Sequence, residues 1–410
     1  LGANTTGEYN TALGRAAGAA VTTGADNTIV GSLAGDAITT GTGNTVVGKS
    51  ALTSNTVASG NTAIGQAAMK ENTLSAFNVS VGKNSLRNLN HTTATNAYNV
   101  AVGNEAGQGI TTGIRNTLMG GEAGDSLTDA DDNVAIGALA LSGDTLGSQS
   151  VAIGRGALKV QNFTSATSTY NVAVGYSAGE SVTTGIRNTL IGGLSGDALT
   201  TGVRNVAIGF QALTTDTKGQ RTVAIGHNAL SVQNFTTATD SYNTAVGHEA
   251  GASVTTGVQN TFIGGLAGDA TDDGTNNVAV GFEALSANCG SGNTTVGTRA
   301  GKATTADNNT FVGNNAGTAT TTGSENTAVG RLCFDANTTG TNNVAMGNSA
   351  LGASTTASYN TAVGDQAGTA ITTGMRNTSL GYEAGKAITT SYGNTCIGER
   401  AGDNITTGQS

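Results

Sequence analysis

The side chains able to do chemistry are sparse in this sequence and widely spaced. Histidine occurs three times, as His91, His227 and His248. They read as standing at unrelated positions with no fixed serine or cysteine partner, so a nucleophilic triad is not expected. Cys289, Cys333 and Cys396 lie far apart, which suits neither a disulfide framework nor a zinc knuckle. Two carboxylates flanking a glycosidic bond would cleave a polysaccharide. However, Asp36, Asp125, Asp197 and Asp269 each follow a small residue and a glycine, and Asp131-Asp132 and Asp272-Asp273 sit in turn-like sequence. All of these read as solvated turn carboxylates. The Gly-Gly-x-Gly-x-Asp loop of calcium-binding solenoids does not occur, so no metal and no cofactor is expected, and the chain is not expected to be an enzyme.

Recognition is the more promising chemistry. Three segments carry Asn90-His91-Thr92, Gln161-Asn162-Phe163-Thr164 and Gln233-Asn234-Phe235-Thr236, followed by Tyr98, Tyr170 and Tyr242 respectively. Aromatic and amide groups on extra loop length would face outward, where they stack on and hydrogen-bond sugars. The candidate glycan or receptor contacts are therefore His91, Tyr98, Phe163, Tyr170, Phe235 and Tyr242. The competing reading is that Phe and Tyr anchor the extra length against the body of the protein. Asn90, Asn162 and Asn234 also begin Asn-x-Thr triplets, which are acceptor sites for glycan attachment.

A repeat positions these segments. Aligning on Asn-Thr/Val-x-Val/Ile-Gly gives 23 copies, from Asn10–Gly14 to Asn394–Gly398, mostly stepping by 17 residues. Steps of 21 residues begin at Asn78, Ser150 and Thr222, giving longer coils at 78–98, 150–170 and 222–242 and a higher-order period of 72; two steps of 16 begin at Asn277 and Asn293. Such a period means stacked coils, here an all-β solenoid, a parallel β-roll spanning 1–410 as a single repeat region. At about 4.8 Å per coil it would extend about 110 Å.

Each repeat position carries a physical meaning. The closing glycine, as in Gly14, Gly103, Gly175, Gly264 and Gly398, marks a corner needing positive φ or leaving no room for a Cβ. The residue before it is always Val, Ile, Leu or Met, and two places earlier stands Thr or Val, so a period-2 strand is expected to bury that pair. Seven places after the Asn stands Ala in 20 copies, with Ser85, Ser195 and Cys333 as exceptions, which marks a second tight corner. Arms such as Ile110-Thr111-Thr112-Gly113 read as a second short strand. The Asn residues would form a ladder of stacked amides, interrupted at Ser150 and Thr222. Eight places after the Asn, Gly and Leu alternate in pairs: Gly107 and Gly124, Leu141 and Leu158, Gly179 and Gly196, Leu213 and Leu230. Exposed leucine rows are unusual on a lone soluble rod, so self-association is expected to hide them, as a closed homotrimer. Uncapped end coils would leave strand edges open to end-to-end filaments.

Composition sets the outer limits. Trp and Pro are absent, aromatics are 4% and charged residues 11%, so any core is thin. A formal net charge of -9 and a pI near 4.8 disfavour nucleic acid and anionic membranes, which attract basic faces. No apolar run is long enough to span a membrane. The chain begins at Leu1 and is read as a segment of a longer or processed protein.

Copies such as Asn61-Thr62-Ala63-Ile64-Gly65, Asn133-Val134-Ala135-Ile136-Gly137 and Ser150-Val151-Ala152-Ile153-Gly154 resemble the head repeat of YadA-type trimeric autotransporter adhesins. Similar repeats occur in phage tail fibres. The resemblance covers essentially the whole chain, although its coils are longer than the family's. It implies a trimeric, left-handed parallel β-roll that binds surfaces: a rigid extracellular, cell-surface or virion rod contacting a host glycan or receptor. An ice-binding solenoid is the alternative, and a polysaccharide depolymerase a weaker one.

Overall fold

A computed structural model describes residues 1–406. The chain is a parallel β-solenoid of 23 coils, with no helix among the described residues. It divides into two compact units, Leu1–Asn205 and Val206 onward, each built from the same coil.

A coil opens with a three-residue strand directly after the Asn. In the first unit, Thr62–Ile64 pairs in parallel with Val79–Val81, placing Thr62 opposite Val79 and Ala63 opposite Ser80. In the second, Thr261–Ile263 pairs with Val278–Val280 in the same register. A glycine then turns the chain: φ is 135° at Gly14, 148° at Gly103, 144° at Gly175, 134° at Gly264 and 119° at Gly398. A Cβ on Gly264 would lie 2.6 Å from the Gly281 carbonyl oxygen one coil on. Both the backbone angle and the inter-coil spacing therefore require glycine there.

Inside and outside are the reverse of the alternation expected. The middle residue of each strand is buried, as in Ala63, Leu118 and Phe262, while the Thr/Val and Val/Ile flanking it point outward. The coil is too narrow to hold both flanking rows, so the single central residue faces in. The arm is not a strand in most ordinary coils either. It hydrogen-bonds to the next coil through one shared acceptor, as where the Thr56 carbonyl accepts from Thr39 N–H at 2.8 Å and Thr40 N–H at 3.3 Å. Among the described residues, two-residue second strands form only where a long coil pairs with the coil before it: Ser75–Ala76 with Thr95–Asn96, Gly147–Ser148 with Thr167–Ser168, and Gly219–Gln220 with Thr239–Asp240.

The alternating leucines lie in the core. Leu141, Leu158, Leu213 and Leu230 are all fully buried within their own chain. Where the same position is Gly, the volume is filled from elsewhere: Leu118 and Leu127 beside Gly124, and Phe262 beside Gly268. The large apolar groups at the centre thus come from the strand, the turn or the arm, according to which of these positions is not glycine or alanine. The leucine rows therefore give no reason for self-association.

Within each unit the asparagine ladder runs through buried amides. Asn27 accepts at Oδ1 from Asn44 N–H (3.0 Å) and donates from Nδ2 to the Gly41 carbonyl (2.9 Å). Each such side chain satisfies backbone groups of its neighbour that would otherwise be buried unpaired.

Candidate functional surfaces

The long coils position most of the residues singled out for recognition. Phe163 and Phe235 are only 7% and 6% exposed, and His91, at the equivalent place in the first long coil, is 7% exposed. Instead of presenting rings to solvent, they plug the inserted length against the solenoid. The Phe163 amide donates to Asp144 Oδ1 at 3.1 Å, and Thr145 Oγ1 donates to the Phe163 carbonyl at 2.8 Å. Burial lowers the pKa of His91, opposed by Asp129 and Asp131, and its Nε2 has no hydrogen-bond partner.

The tyrosines remain outside. Tyr98, Tyr170 and Tyr242 are 53%, 52% and 51% exposed, each held at positive φ immediately before its Asn. Tyr98 stacks on Phe77 with centroids 5.6 Å apart. The Arg221 guanidinium lies 5.5 Å above the Tyr242 ring and pairs with Asp240. In the first unit, two residues of this column, Arg115 and Asp132, form a two-pronged ion pair at 2.6 and 2.8 Å. The result is an outward file of aromatic, guanidinium and carboxylate groups one coil apart.

Sequence reasoning missed the polar network beneath two long coils. Gln161 Nε2 donates to Asp144 Oδ2 (2.6 Å) and Ser150 Oγ (2.9 Å), while its Oε1 accepts from Asn171 Nδ2 (2.8 Å). Gln233 makes the same contacts with Asp216, Thr222 and Asn243. The asparagine ladder is therefore rerouted at Ser150 and Thr222: a glutamine from the inserted loop supplies the missing amide. In the first long coil Leu89 and Ala97 are buried at the corresponding places, and Asn78 keeps the ladder itself. Burial raises the pKa of Asp216, partly offset by the hydrogen bond from Gln233.

Not all turn carboxylates are solvated. Asp36, Asp125 and Asp269 each have one oxygen buried without a hydrogen-bond partner, and burial, with Glu122 and Glu105 nearby, pushes Asp125 up to about 6. All three cysteines are free and buried. Burial raises Cys289 to about 11 and Cys333 to about 12, so at neutral pH these thiols are protonated and poor nucleophiles.

Two surfaces were not anticipated. The residue before each corner glycine forms an outward apolar row, one side chain per coil. In the first unit Ile64, Met119 and Ile191 are exposed along it, and in the second unit Ile263, Met346 and Leu380. The other is a histidine pair. His227 and His248 do share a repeat position, each following its corner glycine, and their rings stack at 5.1 Å. Their common offset from Thr222 and Asn243 was legible in the sequence.

No protein-family model matches the chain, and a search of curated proteins finds no match. The class defined by fold and surface is thus an all-β solenoid repeat protein with a thin core and an outward apolar row.

Proposed function

We propose that this chain is a segment of a homotrimeric fibre or adhesin, a stiff extracellular or virion shaft that presents tyrosine-bearing coils to a host-surface glycan. The observation that carries the reading is the apolar row. A file of Val, Ile, Leu and Met on the outer face of each unit's sheet is the kind of surface that soluble proteins cover. Closed rotational symmetry lets three identical rows meet at one axis and leaves none unpaired. The files of Tyr, Arg and Asp lie on a different corner of the coil and supply the contact chemistry.

Ice binding needs regular outward hydroxyls. Here the first threonine of each arm is engaged: Thr22 Oγ1 donates to the Thr39 carbonyl (3.1 Å) and Thr321 Oγ1 to that of Thr338 (2.9 Å). Half of the hydroxyls such a face would use are therefore committed to the coil.

Light scattering on the purified chain tests the assembly. A threefold mass is expected, falling to one chain in Ile263→Asp/Val280→Asp with an unchanged circular dichroism spectrum. A wild-type mass of one chain would sink the trimer. Glycan-array binding that disappears in Tyr98→Ala/Tyr170→Ala/Tyr242→Ala tests recognition; binding unchanged in that variant would remove the tyrosines from it.

A further inference from the structure

The histidine pair of the second unit stands in a column of side chains that directly follow the corner glycines. Phe210 stacks on His227 with centroids 5.8 Å apart, and His227 stacks on His248 at 5.1 Å with the rings 10° from parallel. The backbone holds this arrangement: Gly247 N–H donates to the Ile225 carbonyl at 2.8 Å, and Glu249 N–H to the His227 carbonyl at 2.9 Å. Glu249 sits at φ 54°, which turns its carboxylate back toward the rings. His248 Nε2 lies 3.9 Å from Glu249 Oε1, and one ligand atom from each of His227, His248 and Glu249 falls within 4.8 Å of the others.

We propose that His227, His248 and Glu249 bind a late first-row divalent cation, with Zn²⁺ as the representative. Two imidazole nitrogens and one carboxylate oxygen are the donor set that suits such ions, whereas Ca²⁺ and Mg²⁺ require shells made mostly of oxygen. Closing from 4.8 Å to the spacing of ligands around one ion needs only side-chain rotation, because both rings are exposed. Phe210 covers the far face of His227 and limits its alternatives. The next coil carries Gly265 in this column, and a Cβ there would meet only the Phe282 ring, at 3.6 Å. That gap leaves room for water to complete the coordination of the ion.

Calorimetric titration of the full chain with ZnCl₂ at pH 7.5 tests the site. One ion per chain is expected, with affinity reduced at least tenfold in His227→Gln/His248→Gln and at least threefold in Glu249→Gln. Binding should weaken as pH falls, because protons compete with the ion for its ligands. An excess of CaCl₂ should leave the Zn²⁺ affinity unchanged. Saturable binding that persists in the double histidine variant, or no saturable binding by the wild type, overturns the proposal. Both histidines are exposed and outside the core, and an unchanged circular dichroism spectrum verifies that each variant is folded.

Discussion

Leu118 and Gly124 share one volume: a Cβ on Gly124 would lie 2.9 Å from Leu118 Cδ2. Leu118 also fills the space facing Gly107, where a Cβ would come within 2.7 Å of its Cδ1. One strand residue thus does for two coils what Leu141 and Leu158 do for the next two from the turn. The paired alternation of Gly and Leu is therefore volume compensation inside a thin core.

This sharing makes the two positions energetically coupled. Leu118→Ala should cost about 2–4 kcal/mol, as a buried leucine truncation does, and Gly124→Leu alone should also destabilise by overpacking. Together they should cost at least about 1 kcal/mol less than their sum, since the new leucine occupies the vacated space. Chemical denaturation of the four chains in this cycle reads the coupling directly; strict additivity would contradict the shared volume.

The rerouted amide network gives a second prediction. Gln161→Leu removes the donor that holds Asp144 Oδ2 at 2.6 Å and leaves a buried carboxylate oxygen unpaired, so it should cost about 2–4 kcal/mol. Adding Asp144→Asn, Ser150→Asn and Thr169→Ala installs the side chains of the first long coil, where Asn72 bonds Ser75 and Asn78 continues the ladder. The fourfold variant should recover to within about 1 kcal/mol of wild type.

Gly264→Ala tests the corner. It places a Cβ 2.6 Å from the Gly281 oxygen at a φ of 134°, a region that side chains other than hydrogen rarely enter, and should cost about 2–4 kcal/mol. A melting temperature equal to that of wild type would mean that the coil opens there at little cost.

Asp125 should make the chain more stable in mild acid. Its folded pKa of about 6 lies above the ordinary carboxylate value of about 3.9. The group therefore contributes stability that is complete below about pH 4 and lost as pH rises through 6. Because Asp125 is half-exposed, solvent screening reduces the effect to on the order of 1 kcal/mol between pH 7.5 and 4.5. Burial pushes Asp269 and Asp335 the same way, while Lys302 and Lys386 act oppositely on Glu283 and Glu383. Comparing wild type with Asp125→Asn by denaturation at both pH values isolates the Asp125 share, and equal pH slopes would remove it.

The repeat itself determined a good deal. The period, the three-residue strand after each Asn, the asparagine ladder and the parallel pairing of successive copies all follow from local chemistry repeated at fixed spacing. A corner at Gly264 is a backbone requirement, so it is visible without any partner. Alternation along three residues, by contrast, says only that two faces differ. Which face is inside depends on the width of the closed coil, and that width admits Ala63 but turns Ile64 outward. Tertiary structure likewise decided that Phe163 plugs inward while Tyr170 stays in solvent, because Asp144 and Gln161, one coil apart, hold the loop from beneath. It also sent Leu141 into the core. Each of these outcomes depends on what the adjacent coil places at the same height, a relation that exists only once the coils are stacked.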